Sequence, residues 1–460
     1  MDQNKIIQIS HHLAHAYCAY GLSNFENCAV MVIDGQGNYK EDLTENISKA
    51  IIYPRKNESS YVERESFYEF SNGKYKLLRK NLSTIHKSFV RLSGLGHLYE
   101  IASSYVFKSR FDAGKLMGLA PYGKKLLIRM LSIKNNTEIV YYNDWIKDFS
   151  RPNRDTDCLE KYFQEYSNLA FNAQKELEKA VLMLSKWLKK NTNFDSLAYA
   201  GGVALNCSVN TEILNNSGFK NVFIPPPASD CGISIGCAFY GYFNILGKNK
   251  KRTHYSDYLG KIYSESEILN AINKNKGAIV FRKSSNICKE VAKIISSGKI
   301  VGWFQGKSEF GPRALGNRSI LADPRRIEMK NKINQVIKKR EFFRPFAPSV
   351  LENKAHEFFD ISHSPYMLFT AKVKDDKKSQ IPAVVHIDDT SRIQSVNKTQ
   401  NSKYYSLIRE FYLLTKTPLL LNTSLNDNEP IAETPEDALN CFLNSGLDVL
   451  CMGDYIIKKR

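Results

Sequence analysis

The nine cysteines of this 460-residue sequence include no Cys-x-x-Cys pair, which argues against zinc fingers and dithiol redox motifs. Their number is odd, and residues 1–16 carry neither the basic segment nor the apolar run of a secretory signal. We therefore expect a cytoplasmic protein with reduced thiols. The sequence also lacks an apolar run of about 18–20 residues, so no membrane-spanning helix is predicted.

Acidic residues are few, 47 against 65 lysines and arginines, and the formal net charge is +18. Such an excess permits contact with nucleic acid, a membrane surface or an anionic substrate, although a solvated lysine-rich surface is the simpler interpretation. Much of the excess lies in short basic runs at 247–252, 337–340 and 458–460, and no recognised nucleic-acid motif accompanies them. We expect neither a nucleic-acid nor a membrane partner.

The order of apolar and polar segments predicts an α/β protein of more than one domain. Residues 1–245 mix apolar strands, Gly-rich turns and helices, as in the strand–turn–helix pattern of 196–214. The polar, basic segment 246–258 is predicted to be a linker. Residues 259–460 then form a second α/β unit.

A cluster of histidines near the start predicts a metal site. Three of the nine histidines fall within five residues, in a helix predicted over 10–21. His11 and His15 are spaced i and i+4, so both rings lie on one face of the helix and can share a metal, while His12 points elsewhere. The alternative is a surface or core histidine cluster.

Two carboxylates complete the predicted metal site. Asp34 ends the apolar strand 28–34, where sites in α/β sheets form, and Asp230 stands just before a predicted helix. An ordinary Asp-Gly turn and a helix N-cap are the alternatives for these two residues. Two imidazoles with two carboxylates suit a divalent transition metal such as Fe, Mn or Zn, and spacing alone does not choose among them.

Two Gly-punctuated loops predict a nucleotide pocket around the metal. Gly201 and Gly202 lie between an apolar strand and a helix, where backbone N–H groups can approach an anion. The loop 114–123 carries Lys115. Tight packing explains a Gly-Gly pair equally well.

The predicted second unit is rich in arginines that stand beside aromatic residues, prolines and glycines. Partly buried cations of this kind need an anionic partner, and Asn and Ser donors nearby suit a small phosphorylated ligand. A structural ion-pair network with Glu309, Glu341 and Asp323 is the alternative. The candidate residues are Lys307, Arg313, Arg318, Arg325, Lys338, Lys339, Arg340, Arg344, Arg392, Asn422, Thr423 and Ser424.

Taken in order, these motifs resemble those of the O-carbamoyltransferases of the nodulation and antibiotic-tailoring type. They are "HHLAHA", "VIDG", "GKLMGLAPYG", "GGVALN", "FGPRALGNRSILADPR", "FRPFAPSVL", "SRIQSV" and "LNTSLN". The resemblance implies an actin-like (ASKHA, RNase H-like) domain followed by a YrdC-like domain. It further implies that ATP and carbamoyl phosphate form a carbamoyl-adenylate, whose carbamoyl group passes to a hydroxyl of a small acceptor.

The resemblance also implies roles for individual residues. His11, His15, Asp34 and Asp230 match the metal ligands, with Fe(II) expected first and Mn, Zn or Mg as alternatives. Gly201, Gly202 and Asn206 match the loop that binds the adenylate, and Lys115 is also expected to bind the nucleotide. Arg313 matches a contact to the phosphates of ATP, which is used with Mg. Carbamoyl phosphate is expected to bind Lys338, Arg344, Arg392, Asn422 and Ser424, of which Lys338, Arg344 and Arg392 are the expected catalytic residues.

The sequence departs from the family at its start. Family members carry an N-terminal segment of about a hundred residues that is not found here, so we expect a truncated first domain that lacks opening strands. A half-built sheet would expose an edge, and a separate N-terminal polypeptide or self-association is therefore an expected partner. A misassigned start and a degenerate homologue are the alternatives. Competing functions are a tRNA threonylcarbamoyl-type transferase and a non-catalytic subunit.

Overall fold

The computed structural model describes residues 6–52, 60–84, 94–134, 138–142, 144–145, 159–250, 256–427 and 429–460. The chain divides into two compact units, Met1–Tyr255 and Ser256–Arg460. The division falls within the segment 246–258 that was predicted as a linker, of which residues 251–255 lie outside the described residues.

The first unit is built on a six-stranded mixed sheet in the order β2-β4-β3-β1-β7-β8. The central strand β1 pairs antiparallel with β3 and parallel with β7. A separate hairpin joins β5 to β6. The strands of this unit are β1 (Asn27–Ile33), β2 (Ala50–Ile52), β3 (Tyr61–Ser71), β4 (Lys74–Thr84), β5 (Leu131–Lys134), β6 (Glu138–Tyr141), β7 (Ser196–Ala200) and β8 (Asn221–Phe223).

Helices cover this sheet, which explains why the apolar strand β1 is buried along all but its first residue. The first helix packs against the last, and its apolar residues join those of β1 and β3 in one core. The helices are α1 (His11–Leu22), α2 (Leu95–Phe107), α3 (Ala113–Leu119), α4 (Phe163–Lys190), α5 (Cys207–Asn216) and α6 (Ile233–Tyr240). A π-helical stretch, Gly241–Ile245, continues α6.

The second unit contains an eight-stranded sheet in the order β15-β12-β16-β11-β10-β17-β18-β9. A two-stranded sheet joins β13 to β14. The strands are β9 (Ile279–Lys283), β10 (Val301–Phe304), β11 (Arg318–Ala322), β12 (Ala347–Leu351), β13 (Thr370–Lys372), β14 (Thr390–Arg392), β15 (Gln394–Val396), β16 (Leu419–Ser424), β17 (Val449–Met452) and β18 (Tyr455–Lys459).

Six helices accompany the second sheet. Two of them begin with a reciprocal capping box, Ser264 with Glu267 and Thr434 with Asp437, as their sequences favour. The helices are α7 (Glu265–Lys274), α8 (Ile287–Ser296), α9 (Glu328–Lys332), α10 (Glu352–Phe358), α11 (Ser402–Thr415) and α12 (Pro435–Asn444). The apolar faces of α8 and α11 meet over the sheet in the core of this unit.

The predicted α/β class is confirmed, and the strand–turn–helix pattern of 196–214 is observed as β7, a glycine turn and α5. The metal helix begins after Ser10 as predicted, but it continues through Gly21 to Leu22. In the first unit six of the described strands pair in one continuous sheet, and β5 and β6 pair separately. Among the described residues, no helix combines the length and the apolar character needed to cross a bilayer.

The core of the second unit provides a test of this packing. Phe411 on α11 is fully buried, whereas Leu413 on the same helix is 51% exposed. We predict that Phe411→Ala lowers the free energy of unfolding by about 3–5 kcal/mol because it opens a cavity, and that Leu413→Ala changes it little. Urea denaturation of both variants measures this, and equal losses would contradict the packing described.

Candidate functional site

Four candidate metal ligands from three stretches of sequence meet at one point in the first unit. His11 and His15 lie one turn apart on α1, Asp34 directly follows β1, and Asp230 opens the short 3₁₀ turn before α6. One ligand atom from each residue lies within 4.8 Å of all the others. The helix, the sheet and the loop before α6 therefore place the predicted quartet together.

The imidazole nitrogens point at the carboxylates and at each other. The Nε2 atom of His11 lies 2.9 Å from Asp34 Oδ2 and 3.5 Å from Asp230 Oδ1. The Nε2 atom of His15 lies 3.4 Å and 3.3 Å from the same two oxygens. The two Nε2 atoms are 3.2 Å apart. Two nitrogen lone pairs and two carboxylates aimed at one point fit a divalent transition metal.

The charges in this quartet are strongly coupled. Burial alone would lower the pKa of His11, but its hydrogen bonds to the carboxylates of Asp230 and Asp34 outweigh that effect and raise the pKa to about 10. The same balance raises the pKa of His15. The hydrogen bonds from His11 and His15 hold the pKa of Asp230 well below its usual range. Without a metal, the four groups therefore attract each other through protons on the imidazoles.

His12 is turned away from this point, as its place on the helix predicts. Its Nδ1 atom lies 2.8 Å from the hydroxyl of Ser66, and the ring is fully buried. Burial and the charge of Lys80 lower the pKa of His12 well below its usual value. The side chain is a neutral core histidine beside the metal ligands.

The Gly-Gly turn holds Asp34, a candidate metal ligand, in place. Asp34 Oδ1 accepts the backbone N–H groups of Gly35 at 2.8 Å and Gly202 at 2.9 Å, which leaves Oδ2 to face the imidazoles. Gly201 has φ +97°, and a Cβ atom there would lie 2.2 Å from the carbonyl oxygen of Ile33. Close packing against β1 therefore requires glycine at this position.

The other residues of the predicted nucleotide pocket are engaged locally. The side chain of Asn206 caps α5 by accepting the N–H of Val209 at 3.1 Å, and it also exchanges hydrogen bonds with Gln174. The Nζ atom of Lys115 lies 3.3 Å from a carboxylate oxygen of Asp112. Arg313 belongs to the second unit, where it lies half-buried in the loop that connects β10 to β11.

In the second unit, four cations interact electrostatically with one another, and one of them, Lys338, contacts the end of β16. Burial, and then the charges of Arg344 and Arg392, lower the pKa of Arg340 to about 9. Burial, and then Arg340 and Arg344, lower the pKa of Lys338 to about 7. Mutual repulsion of this kind means that Lys338, Arg340, Arg344 and Arg392 form one cluster, which we call the cationic cluster. A bound anion would relieve it.

Two cluster members are anchored by neutral partners. The Nε atom of Arg340 donates to Asn334 Oδ1 at 2.7 Å, and its guanidinium lies 4.7 Å from the ring centre of Phe346. Lys338 Nζ donates to the carbonyl oxygens of Ser424 at 2.6 Å and Asn426 at 2.8 Å. Lys338 and Ser424, which were both predicted to bind carbamoyl phosphate, therefore lie in contact. The hydrogen bonds of Lys338 also hold the loop after β16 in place. Arg340 was among the candidate anion-binding residues of the sequence pattern, although the family resemblance assigned it no role.

Two buried side-chain atoms of the second unit, one of them in the cationic cluster, have no hydrogen-bond partner among the described residues. Asn422 is 1% exposed and donates from Nδ2 to Ser349 at 2.9 Å, but its Oδ1 atom accepts no hydrogen bond from the described residues. The buried Nε atom of Arg392 likewise has no acceptor within the described part of the chain. An unused acceptor and an unused cationic donor suit a ligand that has both an N–H group and a negative charge.

Other arginines of the predicted set follow the structural alternative. Arg325 forms a two-point ion pair with Asp323, at 2.9 Å and 2.6 Å. The fully buried Arg318 donates to backbone carbonyls, including that of Gln305 at 2.7 Å. Glu309 instead accepts the N–H groups of Leu315, Asn317 and Arg318 and so shapes the loop that carries Arg313.

The outer basic residues of these motifs make simple surface contacts. Lys339 pairs with Asp427 at 2.8 Å, and Lys307 is exposed. Glu341 lies 3.7 Å from Arg344, so this part of the predicted ion-pair network touches the cationic cluster. Thr423 sits in β16 opposite Ile320 of β11. The cluster is therefore a subset of the predicted cations.

Comparison with known proteins identifies the family of both units. A model described as "Carbamoyltransferase N-terminus" matches residues 1–239, and one described as "Carbamoyltransferase C-terminus" matches residues 292–459. The nodulation protein NolNO of Sinorhizobium fredii is 35% identical over 475 residues, which cover 100% of this chain and 65% of NolNO. NolO of Bradyrhizobium diazoefficiens is 34% identical over 98% of this chain and 79% of its own length.

The chain thus spans just under two thirds of the length of NolNO. Among solved structures, full-length HypF in its phosphate- and nucleotide-bound form matches at 13% identity and a TM-score of 0.34. That match covers 54% of this chain and 44% of HypF, and it is too weak to bear on the site.

The raised pKa of His11 predicts a pH-dependent stability of the metal-free protein. Its folded-state pKa of about 10 exceeds the ordinary 6.5, so the folded state binds this proton more tightly than the unfolded chain. The stabilisation is fully present below pH 6.5 and is lost as the pH rises through about 10. In EDTA, the difference in melting temperature between the wild type and His11→Gln should therefore shrink between about pH 6 and about pH 10.5. A difference that stays constant would contradict this coupling.

Proposed function

The chain belongs to the carbamoyltransferase family, and on that premise we propose that it is an ATP-dependent O-carbamoyltransferase. Carbamoyl phosphate and ATP would form a carbamoyl-adenylate, and the acceptor would be a hydroxyl group of a small molecule. The observations that carry this proposal are the cationic cluster and the Oδ1 atom of Asn422, which is buried and accepts no hydrogen bond from the described residues.

Carbamoyl phosphate offers the two groups that would complement this part of the second unit, a negative charge and an N–H donor. Its phosphate is a small dianion, which the guanidinium groups of Arg344 and Arg392 can bind and stabilise as the phosphate departs. Its amide N–H groups can donate to Asn422 Oδ1, which is buried and otherwise unused. Lys338 adds positive charge while it holds Ser424 in place. These positions are the ones that the family resemblance assigns to carbamoyl phosphate.

The proposed reaction has three steps. Water cleaves carbamoyl phosphate to carbamate and phosphate, and a carbamate oxygen then attacks the α-phosphorus of ATP and displaces pyrophosphate. The acceptor oxygen finally attacks the activated carbonyl, the hydroxyl proton is lost, and AMP leaves. Exclusion of water protects carbamate and the adenylate from hydrolysis.

We propose that His11, His15, Asp34 and Asp230 hold a divalent metal, with Fe(II) the first choice and Mn, Zn or Mg as alternatives. When bound, the metal would supply Lewis-acid polarisation to a carbonyl or phosphate oxygen. The protein's own contribution is to fix Asp34 by the N–H groups of Gly35 and Gly202, so that one carboxylate oxygen keeps a constant direction. Gly201, Asn206, Lys115 and Arg313 are proposed to contact ATP, which is used with Mg.

The first test measures both inorganic products. Incubation of the protein with carbamoyl phosphate, ATP, Mg²⁺ and Fe(II) should release phosphate faster than carbamoyl phosphate decomposes without the protein, and it should release pyrophosphate only when both substrates are present. Arg392→Ala should lower kcat/KM for carbamoyl phosphate on the order of 100-fold, since it removes a charged donor to the departing phosphate.

Arg282→Ala is the matched control. Arg282 lies on β9 of the same unit, is largely exposed and pairs with Glu290, so its loss should leave kcat/KM within about twofold of the wild type. Absence of pyrophosphate release by the wild type, or equal activity of the two variants, would overturn the proposed function.

A further inference from the structure

The first turn of the metal helix α1 is capped by residues from elsewhere in the chain. The Ser10 side chain forms no cap within the helix; it bonds Thr44 and Glu45 instead. The N–H of His11 donates to Asn38 Oδ1 at 2.5 Å, and the N–H of His12 lies 3.4 Å from Glu63 Oε2. The helix that carries two metal ligands is therefore held at its start by tertiary contacts.

These contacts converge on a buried charge network. Glu63 Oε2 also accepts the N–H of Asn38 at 3.0 Å, while its Oε1 pairs with Lys80. Lys80 in turn bonds Glu45 at 2.7 Å, and Glu45 accepts from Ser10 and from Tyr68. The side chains of Lys80 and Glu63 are fully buried, and that of Glu45 is 1% exposed. We call Glu45, Glu63 and Lys80 the buried triad.

A buried triad of charges is a costly way to stabilise a sheet. Each ion loses its hydration, and apolar residues of similar volume stabilise a core at least as well in many proteins. Neighbouring positions of β3 are filled by apolar side chains such as Phe67 and Phe70. Charged groups instead fix the positions of their partners, because each oxygen of Glu63 and Glu45 accepts hydrogen bonds from defined donors.

The triad ties together two segments that each provide metal ligands. Asp34 begins the loop after β1, and Asn38, Thr44 and Glu45 lie further along the same loop. Asn38 bonds the helix through the N–H of His11 and the sheet through Glu63. A shift of α1 against this loop would move the imidazole of His11 away from Asp34 and break these bonds.

We propose that Glu45, Glu63 and Lys80 are positioning residues for the proposed metal centre. They set the distance between the helix that carries His11 and His15 and the loop that begins with Asp34. The inference rests on the proposed metal site and adds a specific role for residues that touch no metal. Loss of supporting hydrogen bonds around metal ligands typically weakens binding by about 10- to 100-fold.

Glu63→Gln is the principal test. Both oxygens of Glu63 act as acceptors, and glutamine offers only one, so either Lys80 or the N–H groups of Asn38 and His12 lose their partner. Co(II) affinity is measured by competition with a chromophoric chelator, and the visible spectrum of the Co(II) protein reports the ligand geometry. We expect affinity to fall about 10- to 100-fold with a changed spectrum.

Glu65→Gln is the matched control on the same strand. Glu65 is equally buried, but its carboxylate bonds Asn81 of β4, and its substitution should leave Co(II) affinity and spectrum unchanged. Melting temperatures in EDTA record any general loss of stability in each variant. If both substitutions weaken Co(II) binding in proportion to their loss of stability, the positioning role is overturned.

A second pair of variants avoids the buried charges. Asn38 is only half-buried, so Asn38→Ala should fold and still weaken Co(II) binding. Asn38→Asp keeps an acceptor for the N–H of His11 and should bind Co(II) at least as tightly as the wild type.

His15→Ala separates the role of the triad from the existence of the metal centre. If it abolishes Co(II) binding while Glu63→Gln and Asn38→Ala bind like the wild type, only the triad's role fails. If His15→Ala binds Co(II) normally, the metal centre fails and the triad's role with it.

Discussion

The attraction between two carboxylates and two imidazoles is the interaction on which the first unit is organised. Asp34 and Asp230 come from segments almost 200 residues apart, and each faces both His11 and His15. Neither pair would converge without the other, because two carboxylates alone repel and two neutral imidazoles gain little from contact. Protons serve this role in the metal-free chain, and a divalent cation would serve it better.

Much of the surrounding structure keeps those four groups in place. The glycine turn after β7 presents the N–H of Gly202 to one oxygen of Asp34, and the positive φ and missing Cβ of Gly201 allow that approach. The start of α1 is fixed through Asn38 and the buried triad. The cationic cluster in the second unit poses the opposite problem, since its like charges repel until an anion is bound. A divalent cation bound in the first unit and an anion bound in the second would each stabilise the charged groups around it.

Local sequence was sufficient for the features that depend on spacing along the chain. The i, i+4 histidines predicted a shared face, and Asp34 and Asp230 were found because strand ends and helix starts are where such residues act. Pattern alone did not separate Arg325, which pairs with Asp323, from Arg392, which retains an unused donor atom. That distinction depends on which side chains the fold brings together. The buried triad was missed for the same reason, since Glu63 and Lys80 lie in strands whose sequences look polar and exposed.

The central claim is that His11, His15, Asp34 and Asp230 form one mononuclear metal centre. X-ray absorption spectroscopy of the iron-loaded protein tests it most directly, because scattering from imidazole rings counts histidine ligands independently of activity. We expect one iron per chain with two imidazoles, and a single imidazole in His15→Ala. An iron surrounded by oxygen alone, or an unchanged spectrum in that variant, would contradict it.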